Sequence, residues 1–172
     1  MATTSEPVRA IHHTHSTLRE RIVEHVFVGE ALRSLWRRGI VDVEVLRAEF
    51  DAHGYDLVIA RGDVVRHIQF KTGTAKRPGD VSVPLVLSSK PAGCVLWIHV
   101  TDGLDLGSFF WFGGPPGAPL PPLGAAVPRR PTHNSQGVRP PRANHRVIAA
   151  AAFQRLETVD EVLVALLGDL TL

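Results

Sequence analysis

Two strand-patterned segments in this chain meet across a turn too short for anything but a hairpin. Tyr55-Asp56-Leu57-Val58-Ile59-Ala60 runs into Arg61-Gly62-Asp63, and Val64 to Thr72 follows at once. Gly-Asp between β-rich runs is a signal for antiparallel pairing. Because alternate residues of a strand share a face, the hairpin also predicts which side chains meet. Val65, His67, Gln69 and Lys71 point one way, and Ile68 and Phe70 the other. Asp56 shares a face with Val58 and opposes Tyr55 and Leu57. The pairing is expected to bring the Asp56 carboxylate beside Gln69 and Lys71.

The flanking pattern fits a mixed sheet around that hairpin. Helix one is expected to open near Thr17, where Thr17-Leu18-Arg19-Glu20 has the form of a capping box. Leu18, Ile22, Val26, Leu32, Leu35 and Trp36 recur at helical spacing, and Gly39 ends the helix after two arginines. Val41 to Leu46 alternates Val with polar residues as a first strand, and residues 49–54 read as a loop. After a polar loop at 73–80, Val83 to Ser89 fits either a short helix opened by Pro84 or a strand. Cys94 to Val100 is nearly all apolar and is expected to be a central strand. Ser108 to Phe112 makes a fifth strand, and its aromatic residues, with Trp97, are assigned to the core. Gly113 to Pro141 holds most of the proline and reads as an irregular arm. Helices are expected over His145–Leu156 and, opened by Thr158 and closed by Gly168, over Val159–Leu167. The predicted class is α/β: a mixed central sheet flanked by helices, with an irregular Pro/Gly/Arg-rich C-terminal segment.

Composition sets the outer bounds. A chain of 172 residues with 44% hydrophobic and 21% charged residues is suited to one core. The expected organisation is a tail at 1–14 and one domain at 15–172, with its core at 16–112, the arm at 113–144 and helices at 145–168. The single cysteine, Cys94, excludes an intrachain disulfide and a cysteine-rich zinc site, and its apolar neighbours make it a buried thiol. His12, His13 and His15 are assigned to the solvated tail. No run reaches the ~18 apolar residues of a membrane span, and Met1 to Ala10 lacks the apolar stretch of a signal peptide. A cytoplasmic protein without a membrane partner is the expectation. Net charge is only +2, but its distribution is uneven. From Gly107 to Leu156 there is no Asp or Glu, while Arg129, Arg130, Arg139, Arg142, Arg146 and Arg155 fall there. Such a segment suits phosphate contacts, and equally a solvated basic loop.

Gly54-Tyr55-Asp56-Leu57-Val58-Ile59, the turn, and then Ile68-Gln69-Phe70-Lys71-Thr72 resemble the core motif of the PD-(D/E)xK nuclease superfamily. Gly29-Glu30-Ala31-Leu32 resembles the helical glutamate of many members. The resemblance covers residues 16–100 and implies a restriction-endonuclease-like core. It departs from the usual pattern where Gln69 replaces the middle acid, as in the QxK subset of that superfamily. It implies a Mg²⁺ site, with Mn²⁺ able to substitute, in which Asp56 is the principal ligand. Gln69 would add a side-chain oxygen and the residue-70 carbonyl another, and Glu30 would bind directly or through water. Lys71 would position or deprotonate the attacking water, or pair with the scissile phosphate. Asp51 stands in reserve at the site mouth, and His67 on the same face reads as packed rather than ligating.

Two functions follow from that resemblance. One is a metal-dependent endonuclease that hydrolyses phosphodiester bonds, with DNA the expected substrate ahead of RNA. The other is a non-catalytic module of the same fold that binds nucleic acid or a protein partner, working as a homodimer or beside that partner. The loss of one acid at Gln69 and the Arg/Pro-rich arm motivate the second.

Overall fold

A computed structural model describes residues 14–49 and 53–171. His12, His13, Asp51 and all but the last residue of the expected 1–14 tail lie outside the described residues. Helix α1 (Ser16–Arg37) is followed by strands β1 (Val43–Arg47), β2 (Leu57–Arg61) and β3 (Val64–Gly73). Then come β4 (Val81–Pro84), a 3-10 turn at Leu85–Ser89, β5 (Gly93–Val100) and β6 (Leu106–Gly113). After the arm lie β7 (His145–Ile148), β8 (Gln154–Leu156) and helix α2 (Val159–Leu167). One sheet has the order β1-β2-β3-β5-β6-β8, and β4 and β7 form a second, two-stranded sheet. The fold is therefore α/β with a mixed sheet. Among the described strands, β3 and β5 make the parallel pair, and the other pairs are antiparallel.

The β2–β3 turn forms as its sequence predicts. Arg61 pairs with Val64 around Gly62, whose φ of +55° is a conformation glycine adopts without steric cost. The ambiguity over Val83–Ser89 resolves into both elements, a strand that stops at Pro84 and a 3-10 turn beyond it.

Each face of the large sheet has its own cover. Ile68, Leu96 and Ile98 pack against Phe27 and Leu35 of α1 and Leu163 of α2. Their strand neighbours Val95 and Trp97 point the other way, with Phe110, and meet Val83 of β4 and Ile148 of β7. The aromatic residues of β6 divide between the two cores as alternation requires: Phe109 and Trp111 on the helix side, Phe110 on the ribbon side.

Three expectations are corrected. Helix α1 opens at His15 with no side-chain cap, so Thr17 and Glu20 form no capping box; the first turn lies two residues earlier than that motif requires. The buried stripe of α1 is Val23, Phe27, Ala31 and Leu35, whereas Leu18 and Trp36 are 60% and 73% exposed. Two apolar stripes run side by side one residue apart, and hydrophobic period alone cannot choose between them. Finally, His145–Leu156 is not a helix. It divides into β7, a 3-10 turn at Ala150–Ala152, and β8. The alanine run favours a helix locally, but the open edges of β4 and β6 offer backbone partners to the segments on either side of it.

α2 has the expected bounds. The Thr158 hydroxyl accepts from the Glu161 N–H, and Gly168 at φ +87° ends the helix. Asp160, in its first turn, ties it to the end of α1: its carboxylate accepts from the Ser34 hydroxyl and, at 2.5 Å, from Arg38. The Ser34 hydrogen bond, followed by Arg38, holds the Asp160 carboxyl below the usual range.

The deepest polar group is Arg66 on β3, which is 0% exposed. Its Nε donates to the Leu166 carbonyl at 2.9 Å, and Nη2 donates to Gly114 at 2.7 Å and Ala165 at 3.1 Å. Nη1 reaches the Ala118 carbonyl at 3.3 Å, and the guanidinium lies 5.4 Å from the Trp111 ring centroid. Ala165 and Leu166 belong to the last turn of α2, whose carbonyls have no intrahelical donor. A cation is favoured there by the helix dipole.

Two predictions follow. Arg66→Met strips donors from four carbonyls on two segments and should cost about 3 kcal/mol or more in urea unfolding. Arg66→Lys should recover less than half, because one ammonium cannot span the same acceptors. The Asp160 ties stabilise the fold fully above the unfolded carboxyl value of about 3.9 and are lost as pH falls from there through the lower folded value. Thermal unfolding followed from about pH 6 to about pH 3 should therefore show a smaller acid-side loss in Asp160→Asn than in the parent.

Candidate functional site

The site begins where β2 ends and β3 continues. Their ladder stops at Leu57 opposite Ile68, while β3 runs on to Gly73 beside β5. The β3 backbone beyond Ile68 would lack partners on the β2 side, and Asp56 supplies them. Its N–H donates to the Ile68 carbonyl at 2.8 Å, and its Oδ2 accepts from the Phe70 N–H at 2.7 Å. The same oxygen accepts from Gln69 Nε2 at 2.5 Å. Gln69 is 5% exposed, and its amide also reaches the Phe70 carbonyl at 3.3 Å. With the NH₂ turned to a carboxylate, Gln69 presents Oε1 as its remaining acceptor.

Lys71 follows on the same face of β3, in register with Trp97 of β5. The indole closes the end of the site: a Cβ on Gly73 would come within 2.7 Å of Trp97. Lys71 is half-buried, and among the described residues its ammonium makes no hydrogen bond or ion pair, including one with Asp56. The hairpin thus brings Asp56 and Gln69 into contact and sets Lys71 beside them.

Glu30 is placed elsewhere. It pairs with Arg33 on the surface of α1 and is 41% exposed. It borders a cleft of about 500 Å³ with Ile22, Val26, Leu104 and Phe109, which excludes Asp56, Gln69 and Lys71. Helix α1 covers the Ile68/Phe70 face of β3, with Phe27 and Phe70 ring centroids 5.4 Å apart, whereas Gln69 and Lys71 face the other side. The buried acid of α1 is Glu24, which accepts from Arg47 at 2.5 Å and from Arg21 at 3.2 Å. It anchors the helix to the end of β1. Among the described residues, no three His, Cys, Asp or Glu side chains gather as a metal site.

Aromatic and basic groups border the Asp56 side. The Tyr55 ring stands edge-on to His67 with centroids 4.9 Å apart, and Lys90 Nζ lies 5.3 Å from the Tyr55 centroid. Burial, followed by the Lys90 charge, lowers the His67 pKa, and its Nδ1 is buried with no hydrogen-bond partner. His67 is therefore packed as a neutral ring. Gly54, at φ +71°, sits against the 3-10 segment, where a Cβ would meet Val86 at 2.9 Å and Pro84 at 3.0 Å. That close contact holds the loop before Asp56 against the ribbon side of the sheet. Cys94 lies within the other core, its thiol pushed up to about 12 by burial, which disfavours the reactive thiolate.

Sequence reasoning missed Arg66 and Glu24. An arginine in a strand and a glutamate in a helix have ordinary local patterns. The only available signal was that Arg66 shares the face of Ile68 and Phe70, where a polar side chain must find buried acceptors.

No protein-family model matches the chain, and comparison with curated protein sequences gives no match.

Asp56→Ala should leave the Phe70 N–H and the Gln69 amide without an acceptor and cost about 1–3 kcal/mol. Asp56→Asn should cost less, since Gln69 can turn its oxygen to the new amide. Denaturant unfolding, with amide exchange at Phe70, checks both.

Proposed function

We propose that this chain is a metal-dependent nuclease of the PD-(D/E)xK type that hydrolyses phosphodiester bonds in DNA. The observation that carries the reading is the contact of Asp56 with Gln69 where the β2 ladder ends, with Lys71 next along the same face. The strand order adds support: an antiparallel β1-β2-β3 meander is followed by a strand parallel to β3. The crossover into β5 carries β4 and a 3-10 turn where the resemblance implies a helix.

The donor set suits a hard cation. Asp56 offers a carboxylate and Phe70 a backbone carbonyl, and the Gln69 amide, turned over from its hydrogen bond to Asp56, would add its oxygen. Mg²⁺ is commonly held by one or two carboxylates together with waters and substrate phosphates, so a single charge at Asp56 fits a site completed by DNA. A divalent ion there supplies a more acidic bound water and charge neutralisation at the phosphate. Without an ion, the hydrogen bond from the Gln69 amide to Asp56 keeps both side chains in place. The Lys71 ammonium attracts the scissile phosphate and positions the attacking water.

A second reading rests on Glu30 and Gln69. With Glu30 turned to Arg33 and an amide at the middle position, the described residues bring one acid to the site. That arrangement favours a module that binds nucleic acid without cutting it.

Supercoiled, linear, single-stranded and branched DNA incubated with Mg²⁺ or Mn²⁺ should be cleaved by the parent chain. Lys71→Ala should slow cleavage by about 10²–10⁴-fold, and Asp56→Asn should reduce it to background with the fold intact. Cleavage equal in the parent and Asp56→Asn removes the site. No cleavage and no Mn²⁺ heat in titration calorimetry, with nucleic-acid binding retained, selects the non-catalytic module. Gln69→Glu sets a second carboxylate against Asp56 Oδ2. It should lower the melting temperature in chelator and regain it on adding Mn²⁺, because the ion relieves like-charge repulsion.

A further inference from the structure

The arm between β6 and β7 is a folded basic hairpin rather than a slack loop. Arg129 bridges to Pro141, the Arg130 N–H donates to the Pro140 carbonyl at 2.9 Å, and the Arg142 N–H donates to Pro128 at 2.7 Å. At its tip, Asn134 Oδ1 accepts from the Gln136 and Val138 amides, and Gly137 turns at φ +70°. The two sides enclose a cleft of about 570 Å³ bordered by Arg130, Thr132, Arg142, Asn144 and His145.

No acid lines that cleft. The absence of Asp and Glu along this stretch of sequence left room for acids from distant segments to pair with the arm, and among the described residues none forms a salt bridge with it before Arg155. The ion-paired arginines of the described residues are Arg19, Arg21, Arg33, Arg38, Arg47, Arg61 and Arg155. Among the described residues, none of Arg129, Arg130, Arg139, Arg142 and Arg146 forms a salt bridge. The guanidiniums of Arg130 and Arg142 also make no hydrogen bond there, unlike that of Arg129, which donates to the Arg139 carbonyl. Two guanidiniums bordering one cleft on a hydrogen-bonded frame offer donors suited to phosphate oxygens. From Gly114 to Arg146 the arm has no Phe, Tyr or Trp. Its cleft therefore offers cationic donors for phosphate rather than the Phe, Tyr or Trp faces on which single-stranded bases commonly stack.

The cleft also shares the Asp56 side of the sheet. The Asn144 carbonyl accepts from the Leu85 N–H at 2.7 Å, and His145 pairs with Pro84. The same 3-10 segment packs on Gly54, two residues before Asp56.

We propose that the arm grips the sugar-phosphate backbone of duplex DNA, sequence-independently, through Arg130 and Arg142. The choice of DNA among polyanions rests on the nuclease reading, but the cationic cleft does not.

The test is fluorescence anisotropy of the full chain on two duplexes of unrelated sequence and on one single strand, in chelator, over a salt series. The parent should bind both duplexes alike and more tightly than the single strand. The Arg130→Ala/Arg142→Ala double variant should weaken duplex binding about tenfold and reduce the slope of log affinity against log salt by about 2, since each lost phosphate contact removes ~0.9. The Arg130→Lys/Arg142→Lys variant should recover most of that slope. Unchanged affinity and slope in a double-alanine variant that melts like the parent overturns the proposal. So does tighter binding to the single strand, or polyglutamate competing as well as duplex, which would mark a general polyanion surface. Duplex binding that depends on the arm, with no cleavage by any variant, retires the nuclease reading and leaves this one standing.

Discussion

A guanidinium sealed inside the protein has to be met on every side, and Arg66 shows how this fold manages it. Four backbone carbonyls, from the last turn of α2 and from the segment after β6, surround a charge that has no carboxylate partner among the described residues. Burial lowers its pKa, and the orphan carbonyls of the helix terminus supply the compensating dipole. The consequence is geometric. The C-terminal helix, the start of the arm and the middle of the central strand are all referred to one planar group, so none can shift without uncovering a charge.

β3 organises the rest. On one edge it pairs antiparallel with β2 and on the other parallel with β5, and its two faces look into different cores. It is longer than β2, so part of one edge is left without a strand partner. Asp56 takes that place, with one carboxylate oxygen accepting a backbone and a side-chain N–H. The same residue thereby completes the sheet edge and forms the candidate site. Chemistry and structural support are coupled there, and variants must be read for stability as well as for activity.

Much of this was legible because it is local. The Gly62 turn follows from glycine's access to positive φ, and the faces of Gln69, Lys71 and Ile68 follow from the alternation of a strand. Thr158 and Gly168 mark the ends of α2 through a hydroxyl cap and a residue without Cβ. The misreadings are of another kind. Ile22 and Val23, or Val26 and Phe27, have equal claim to a helix's buried face until something packs on it. The alanines at 149–152 favour helix until the edges of β4 and β6 take up the flanking backbone. Glu30 lies at a reasonable distance along the chain from Asp56, yet α1 covers the opposite face of β3.

The sequence by itself determined the hairpin, the meeting of Asp56 with Gln69, the two-sided burial of Cys94–Val100 and the acid-free stretch of the arm, since each depends on a few neighbouring residues and the intrinsic period of the backbone. Only the tertiary structure decided which stripe of α1 is buried, that β7 and β8 are strands, that Arg66 is the interior anchor, and that no acid of the described residues pairs with the arginines of the arm. Those outcomes depend on which surfaces and open hydrogen-bonding edges arrive from elsewhere in the chain, and no local pattern encodes an arrival.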